Sequence, residues 1–146
     1  MRRFQALFPA VVVPLAAVFA GCGAGGAESG ATVSVYTAAP LCKEARAGAG
    51  AAGDLEVRVI CLPPRRSGDA DLAGAGADAR RATQDSTSVA FLEAPGPTAK
   101  FSQSIVEAAD VAWVETSSGT TAMRRIVKAL EGDGSSPRKA VLDEVG

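Results

Sequence analysis

Ser88-Val89-Ala90-Phe91-Leu92-Glu93 reads as a strand with an unbroken apolar centre, and Pro95-Gly96-Pro97 turns the chain behind it. From Thr98 to Ala109, Phe101, Ile105 and Ala108 recur at helical spacing, and Val111-Ala112-Trp113-Val114 reads as the next strand. An uninterrupted apolar run of this length suits a strand buried on both faces, and a helix between two such strands suits a right-handed parallel crossover. This unit decides the fold class, because its neighbours repeat it.

Upstream, Leu55-Glu56-Val57-Arg58-Val59-Ile60-Cys61-Leu62 reads as a strand stopped by Pro63-Pro64, and Val33-Ser34-Val35-Tyr36 as a shorter first strand. Ala38–Ala47 and Leu72–Gln84 are alanine-rich and read as helices. Downstream, Gly119-Thr120-Thr121 opens a helix whose Met123, Ile126, Val127 and Leu130 make one apolar face. Strand and helix alternate four times. The expectation is an α/β three-layer sandwich built on a roughly four-stranded parallel Rossmann-like sheet, spanning 33–132. Residues 133–146 read as a C-terminal tail, either a further turn or two of helix or loose chain.

The chain has 146 residues, 15 Lys plus Arg, 16 Asp plus Glu and no histidine. The missing histidine excludes His-based metal sites and Ser-His or Cys-His catalysis. No run of basic residues exceeds two, which argues against nucleic-acid binding. No carboxylate pair or nucleophile signature emerges, and Asp85 and Glu115 read as turn or solvated residues. The chain therefore reads as non-enzymatic, with no cofactor and no metal.

The first segment speaks to location. Arg2 and Arg3 precede an uncharged apolar stretch from Phe4 to Phe19, and Ala20-Gly21 stand directly before Cys22. This is the layout of a lipoprotein export signal over 1–21, with Cys22 as the lipidated residue. Cleavage without lipid and an uncleaved membrane helix are the competing readings. Pro9, Pro14 and the glycines from Gly21 to Gly26 oppose a long continuous helix. Removing 21 residues leaves 125, one domain's worth; Lys plus Arg falls to 13 against 16 acidic residues, a charge of −3. Residues 22–32 read as a flexible tether. The expected location is the outer face of the cell membrane, held there by the lipid.

Two further cysteines, Cys42 and Cys61, belong to the mature chain. Their spacing alone does not distinguish a bond from two small buried hydrophobes. Gly48-Ala49-Gly50-Ala51-Ala52-Gly53 matches the dinucleotide fingerprint literally, but follows a helix and precedes a strand, the reverse of the order that presents helix amides to a pyrophosphate. Ligands in open α/β sheets sit at the strand carboxyl ends. Attention therefore falls on Glu93–Thr98 and on Glu115–Thr121, where hydroxyls and helix N-terminal amides could hold a carboxylate. Helix capping by Ser118 or Thr120 is the simpler reading of the second loop.

The stretch Ala77-Asp78-Ala79-Arg80-Arg81-Ala82-Thr83-Gln84-Asp85-Ser86-Thr87-Ser88-Val89-Ala90-Phe91-Leu92-Glu93 resembles the N-terminal lobe of type I periplasmic binding proteins. The likeness is to their branched-chain amino-acid (leucine-binding) class, in actinobacterial form. Ala109–Val114 and Ser117-Ser118-Gly119-Thr120-Thr121-Ala122 resemble that family's next strand and ligand loop. The resemblance covers roughly 33–130. It implies a substrate-binding lipoprotein of an ABC transporter for amino acids or similar small polar solutes. Thr98, Ser118, Thr120 and Thr121 are its ligand-binding candidates. This chain departs from the family in carrying Pro95-Gly96-Pro97-Thr98 where a Ser/Gly/Thr-rich turn is usual. It also spans about one lobe of two, so a second lobe or a partner, such as an ABC permease, would supply the other wall. In the family the first two strands are parallel neighbours, which implies a Cys42–Cys61 disulfide. The alternative function is a non-catalytic envelope interaction lipoprotein that kept the fold without ligand binding.

Overall fold

The computed structural model describes residues 30–65, 71–132 and 136–146. The segment 1–21 read as an export signal, Cys22, and the stretch read as a tether up to residue 29 lie outside the described residues. So do 66–70 of the loop before the second helix.

The described chain is a small α/β domain with a five-stranded, mostly parallel sheet between two helical layers. The strands are β1 (Thr32–Thr37), β2 (Ala51–Ala52), β3 (Leu55–Cys61), β4 (Ser88–Glu93) and β5 (Ala112–Glu115). A single 3-10 turn, Ala39–Leu41, leads into α1 (Cys42–Gly48). The remaining helices are α2 (Leu72–Gln84), α3 (Ala99–Glu107), α4 (Gly119–Leu130) and α5 (Pro137–Val145). The sheet order is β2-β3-β1-β4-β5. The four longer strands are parallel; β2 pairs antiparallel to β3.

β2 is the strand that sequence reading does not resolve. It lies inside the glycine run and is two residues long, too short for a periodicity. Gly53, at φ +59°, lets the chain reverse directly into β3. The other strands and α2 fall where the apolar runs put them.

Alternation along each strand distributes the core. Val33, Val35, Leu92, Ala112 and Val114 pack with Leu41, Ala45, Met123, Ile126 and Val141 under α1, α4 and α5. Tyr36, Phe91 and Val111 pack with Ala79, Ala82 and Val106 under α2 and α3. Alanines on the inner face of α2 bring its backbone close to the sheet. α1 and α4 also approach closely: a Cβ on Gly119 would stand 2.7 Å from the Leu41 carbonyl oxygen, and one on Gly48 2.9 Å from that of Thr120. The glycines of the false nucleotide fingerprint are thus explained in part by helix packing.

From sequence alone 133–146 reads as a tail; in the structure it carries α5. Ser136 caps this helix by accepting from the Lys139 N–H, Pro137 occupies its first turn, and Val141 is fully buried. Arg138 then reaches under the sheet. Its Nε donates to the Ser88 carbonyl at 2.7 Å, Nη2 to the carbonyls of Asp85 (3.2 Å) and Ser86 (3.4 Å), and Nη1 to that of Ala109 (3.4 Å). One guanidinium so gathers the carbonyls at the amino ends of β4 and β5.

The α2–β4 turn is held by Asp85. Its carboxylate accepts from the Thr87 N–H (2.8 Å), the Thr87 hydroxyl (2.7 Å) and the Tyr36 phenol (3.0 Å). Burial works to raise the Asp85 pKa, but the hydrogen bonds from Thr87 and Tyr36 outweigh it and hold it below the ordinary 3.8. Burial, then the Asp85 contact, pushes the Tyr36 phenol the other way, upward.

Two outcomes are expected. Arg138→Ala should cost about 2 kcal/mol in urea unfolding, since it strips a charged donor from several carbonyls at once. A carboxyl whose folded pKa lies below its unfolded one contributes stability that is complete above the unfolded value and is lost as pH falls through the folded value. Stability measured from pH 5 down to pH 2 should therefore decline with a contribution from Asp85. Asp85→Asn should be less stable at neutral pH and should show a shallower acid decline.

Candidate functional site

The strand order places β1 between β3 and β4, so the chain leaves β1 in one direction along the sheet and later continues in the other. This reversal is the switch point at which the carboxyl ends of parallel strands part to leave a crevice. Here the three following loops line a cleft of about 240 Å³: Ala38–Pro40 after β1, Pro63–Arg65 after β3, and Ala94–Thr98 after β4. Its walls are largely proline and alanine. Its polar groups are Arg65, Asp78, Glu93 and Thr98.

These four form one network. The Arg65 Nε donates to Asp78 Oδ2 at 3.0 Å, and its Nη1 donates to Glu93 Oε1 at 2.7 Å and to Thr98 Oγ1 at 3.0 Å. Glu93 also accepts from the Ser102 hydroxyl (3.3 Å) and the Trp113 indole N–H (3.2 Å). The two carboxylates are set into regular elements, with side chains only 8% and 3% exposed, whereas Arg65 comes from a loop and is 20% exposed. Burial disfavours the Arg65 charge, but the bonds to Glu93 and Asp78 more than compensate and raise its pKa above the ordinary value. Arg65 Nη2 is buried without an acceptor.

The cysteines bear directly on this cleft. Cys42 and Cys61 form a disulfide, with Cα atoms 5.5 Å apart. Cys42 follows the loop after β1 and Cys61 ends β3, so the bond joins two of the three lining segments at their roots. In the chain-entropy model a closed loop of this size contributes about 3 kcal/mol.

Of the ligand candidates named from sequence, Thr98 lines the cleft. Ser118, Thr120 and Thr121 do not; they surround the N-terminus of α4, where the chain satisfies itself. Ser118 accepts from the Thr121 N–H at 3.4 Å and shares a 3.1 Å hydroxyl contact with Thr121. The Thr120 hydroxyl donates to the Glu44 carbonyl at 3.1 Å. The Gly119 N–H, one of the helix N-terminal amides of the Glu115–Thr121 loop, donates at 2.9 Å to the carboxylate of Glu44 on α1. A carboxylate does sit at this helix terminus, and it belongs to the protein.

Arg65, Asp78 and Glu93 are the site residues that sequence reasoning misses. Asp78 carried a signal: it shares a helix stripe with Ala75 and Ala82, and a charge on a buried face needs a partner. Glu93 closes an otherwise apolar strand. Nothing in the polar loop after Pro64 distinguishes Arg65 as that partner. Among the described residues no group of three or more Cys, Asp or Glu is arranged to hold a metal ion.

No family model, curated protein or solved structure matches this chain.

Arg65→Ala leaves two buried carboxylates sharing one site without their cation. It should cost about 3 kcal/mol in denaturant unfolding, whereas Arg65→Lys should recover part of this. An equal loss in both variants would show that the guanidinium fork is what matters.

Proposed function

We propose that the chain is an exported, lipid-anchored binding protein that takes a small solute in the cleft between the ends of β1, β3 and β4. The carrying observation is the coincidence of three features at one place: the switch point of the sheet, apolar proline-rich walls, and a buried polar cluster that fixes orientation. The resemblance to one lobe of a type I periplasmic binding protein supports the same reading, with an amino acid or similar small polar molecule as solute and an ABC permease as the partner that receives it. This lobe covers one side of the solute; a second lobe or partner would cover the other. The reading is of a carrier without chemistry of its own.

A second reading is favoured by Glu44. Its carboxylate and the surrounding hydroxyls use up the α4 N-terminus, where the resemblance places solute contacts. A domain that had given up its ligand and kept its fold for contact with another envelope protein would look like this at α4.

Two measurements test these readings. Palmitate labelling in a bacterial host should mark the protein and hold it in the membrane fraction, and Cys22→Ala should abolish both. A thermal-shift panel of amino acids, polyamines, short acids and sugars separates the two functions. A solute at a hundred times its Kd should add about 2.7 kcal/mol of stability, a rise of a few degrees. No shift across the panel, with a stable envelope-protein complex recovered instead, would replace the first reading by the second.

A further inference from the structure

The polar cluster in the cleft is unequal in charge and in anchorage. Two carboxylates face one guanidinium, so the group carries a net negative charge. Asp78 belongs to α2 and Glu93 to β4, both fixed by the core. Glu93 is held further by Ser102 and Trp113. The cation is the loosely founded member: it stands on the loop after β3, is the most exposed of the three, and leaves Nη2 without an acceptor. The acidic half is built into the scaffold, and the basic half is supplied to it.

We propose that Asp78 and Glu93 form the receptor for the cationic head of an external ligand, a guanidinium or primary ammonium on a short apolar stem, and that Arg65 occupies that place in the ligand-free protein. The proposal rests on the solute-binding reading of this cleft and names the solute's charge. The contacts Arg65 makes define what the ligand must supply: one donor for Asp78 Oδ2, and one shared by Glu93 Oε1 and Thr98 Oγ1. An alkylguanidinium reproduces this fork, and an ammonium supplies the same donors as a point charge. The remaining lining includes Pro40, Pro63, Pro64 and Pro95, which suits a hydrocarbon stem and offers no second charge. A simple carboxylate is disfavoured, because it would meet two like charges across a single cation already engaged by both. Arg65 then acts as an internal competitor, and binding requires its side chain to leave the two carboxylates.

Trp113, the sole tryptophan, provides the readout, because its indole N–H donates to Glu93. Propylguanidinium chloride is titrated into the 15N-labelled protein, with sodium butyrate and butyramide as controls at matched ionic strength. The Trp113 indole signal should shift saturably with propylguanidinium alone. In Arg65→Ala the same endpoint should be reached at about tenfold lower concentration, because the competitor is gone. Glu93→Gln should abolish the response. Absence of a saturable shift in both wild type and Arg65→Ala overturns the proposal. So does a shift confined to Arg65→Ala, which would make Arg65 a permanent structural partner, and so does an equal response to butyrate. If Arg65→Ala does not fold, the wild-type titration decides alone. A solute from the panel that binds without moving the Trp113 signal removes this inference and leaves the proposed function standing; no binding by any solute or by propylguanidinium removes both.

Discussion

A single guanidinium held between two buried carboxylates is the interaction on which the cleft depends. Arg65 ties the loop after β3 to α2 through Asp78, to β4 through Glu93 and to the start of α3 through Thr98. Each carboxylate alone would be costly at its depth, and both together would repel. The loop brings a cation to both of them. The loop is held in turn by its contact with them, so the cleft wall and the helical layer behind it depend on each other. The disulfide adds a covalent version of the same economy one segment away, at the roots of the loops after β1 and β3.

The layers of the fold are legible because burial on both sides of a parallel sheet leaves a strong mark. Val89-Ala90-Phe91-Leu92 cannot alternate with polar residues if helices cover both faces, and α2 is marked by its alanines and by proline and glycine at its approaches. Where the mark fails, the physical cause is specific. β2 consists of two alanines whose pairing is set by Gly53 and not by any pattern of their own. α5 is short, and its stability comes from Val141 in the core and from Arg138 beneath the sheet, contacts that no local propensity encodes.

The site was less legible than the scaffold. Thr98 lines the strand-end crevice because its loop follows β4. Ser118, Thr120 and Thr121 were suggestive for the same reason, yet a helix terminus needs partners whether or not a ligand exists, and Glu44, 75 residues away in the chain, supplies one. Sequence adjacency shows which amides are unpaired, but not which distant side chain arrives to meet them. Arg65 eluded reading for the same reason in reverse: it lies in an undistinguished polar loop and acquires its importance from two acids on separate elements.

The two ends of the sheet are finished differently. At the amino ends of β4 and β5, Arg138 and the Asp85 turn gather main-chain carbonyls, an amide and hydroxyls into fixed bonds. At the opposite end, Ala38–Pro40, Pro63–Arg65 and Ala94–Thr98 hang from strand tips beyond the registered pairs. Any exchange of the crevice loops would therefore have to keep Arg65 and the Cys42–Cys61 bond, because these two ties hold the segments that the strand register leaves free.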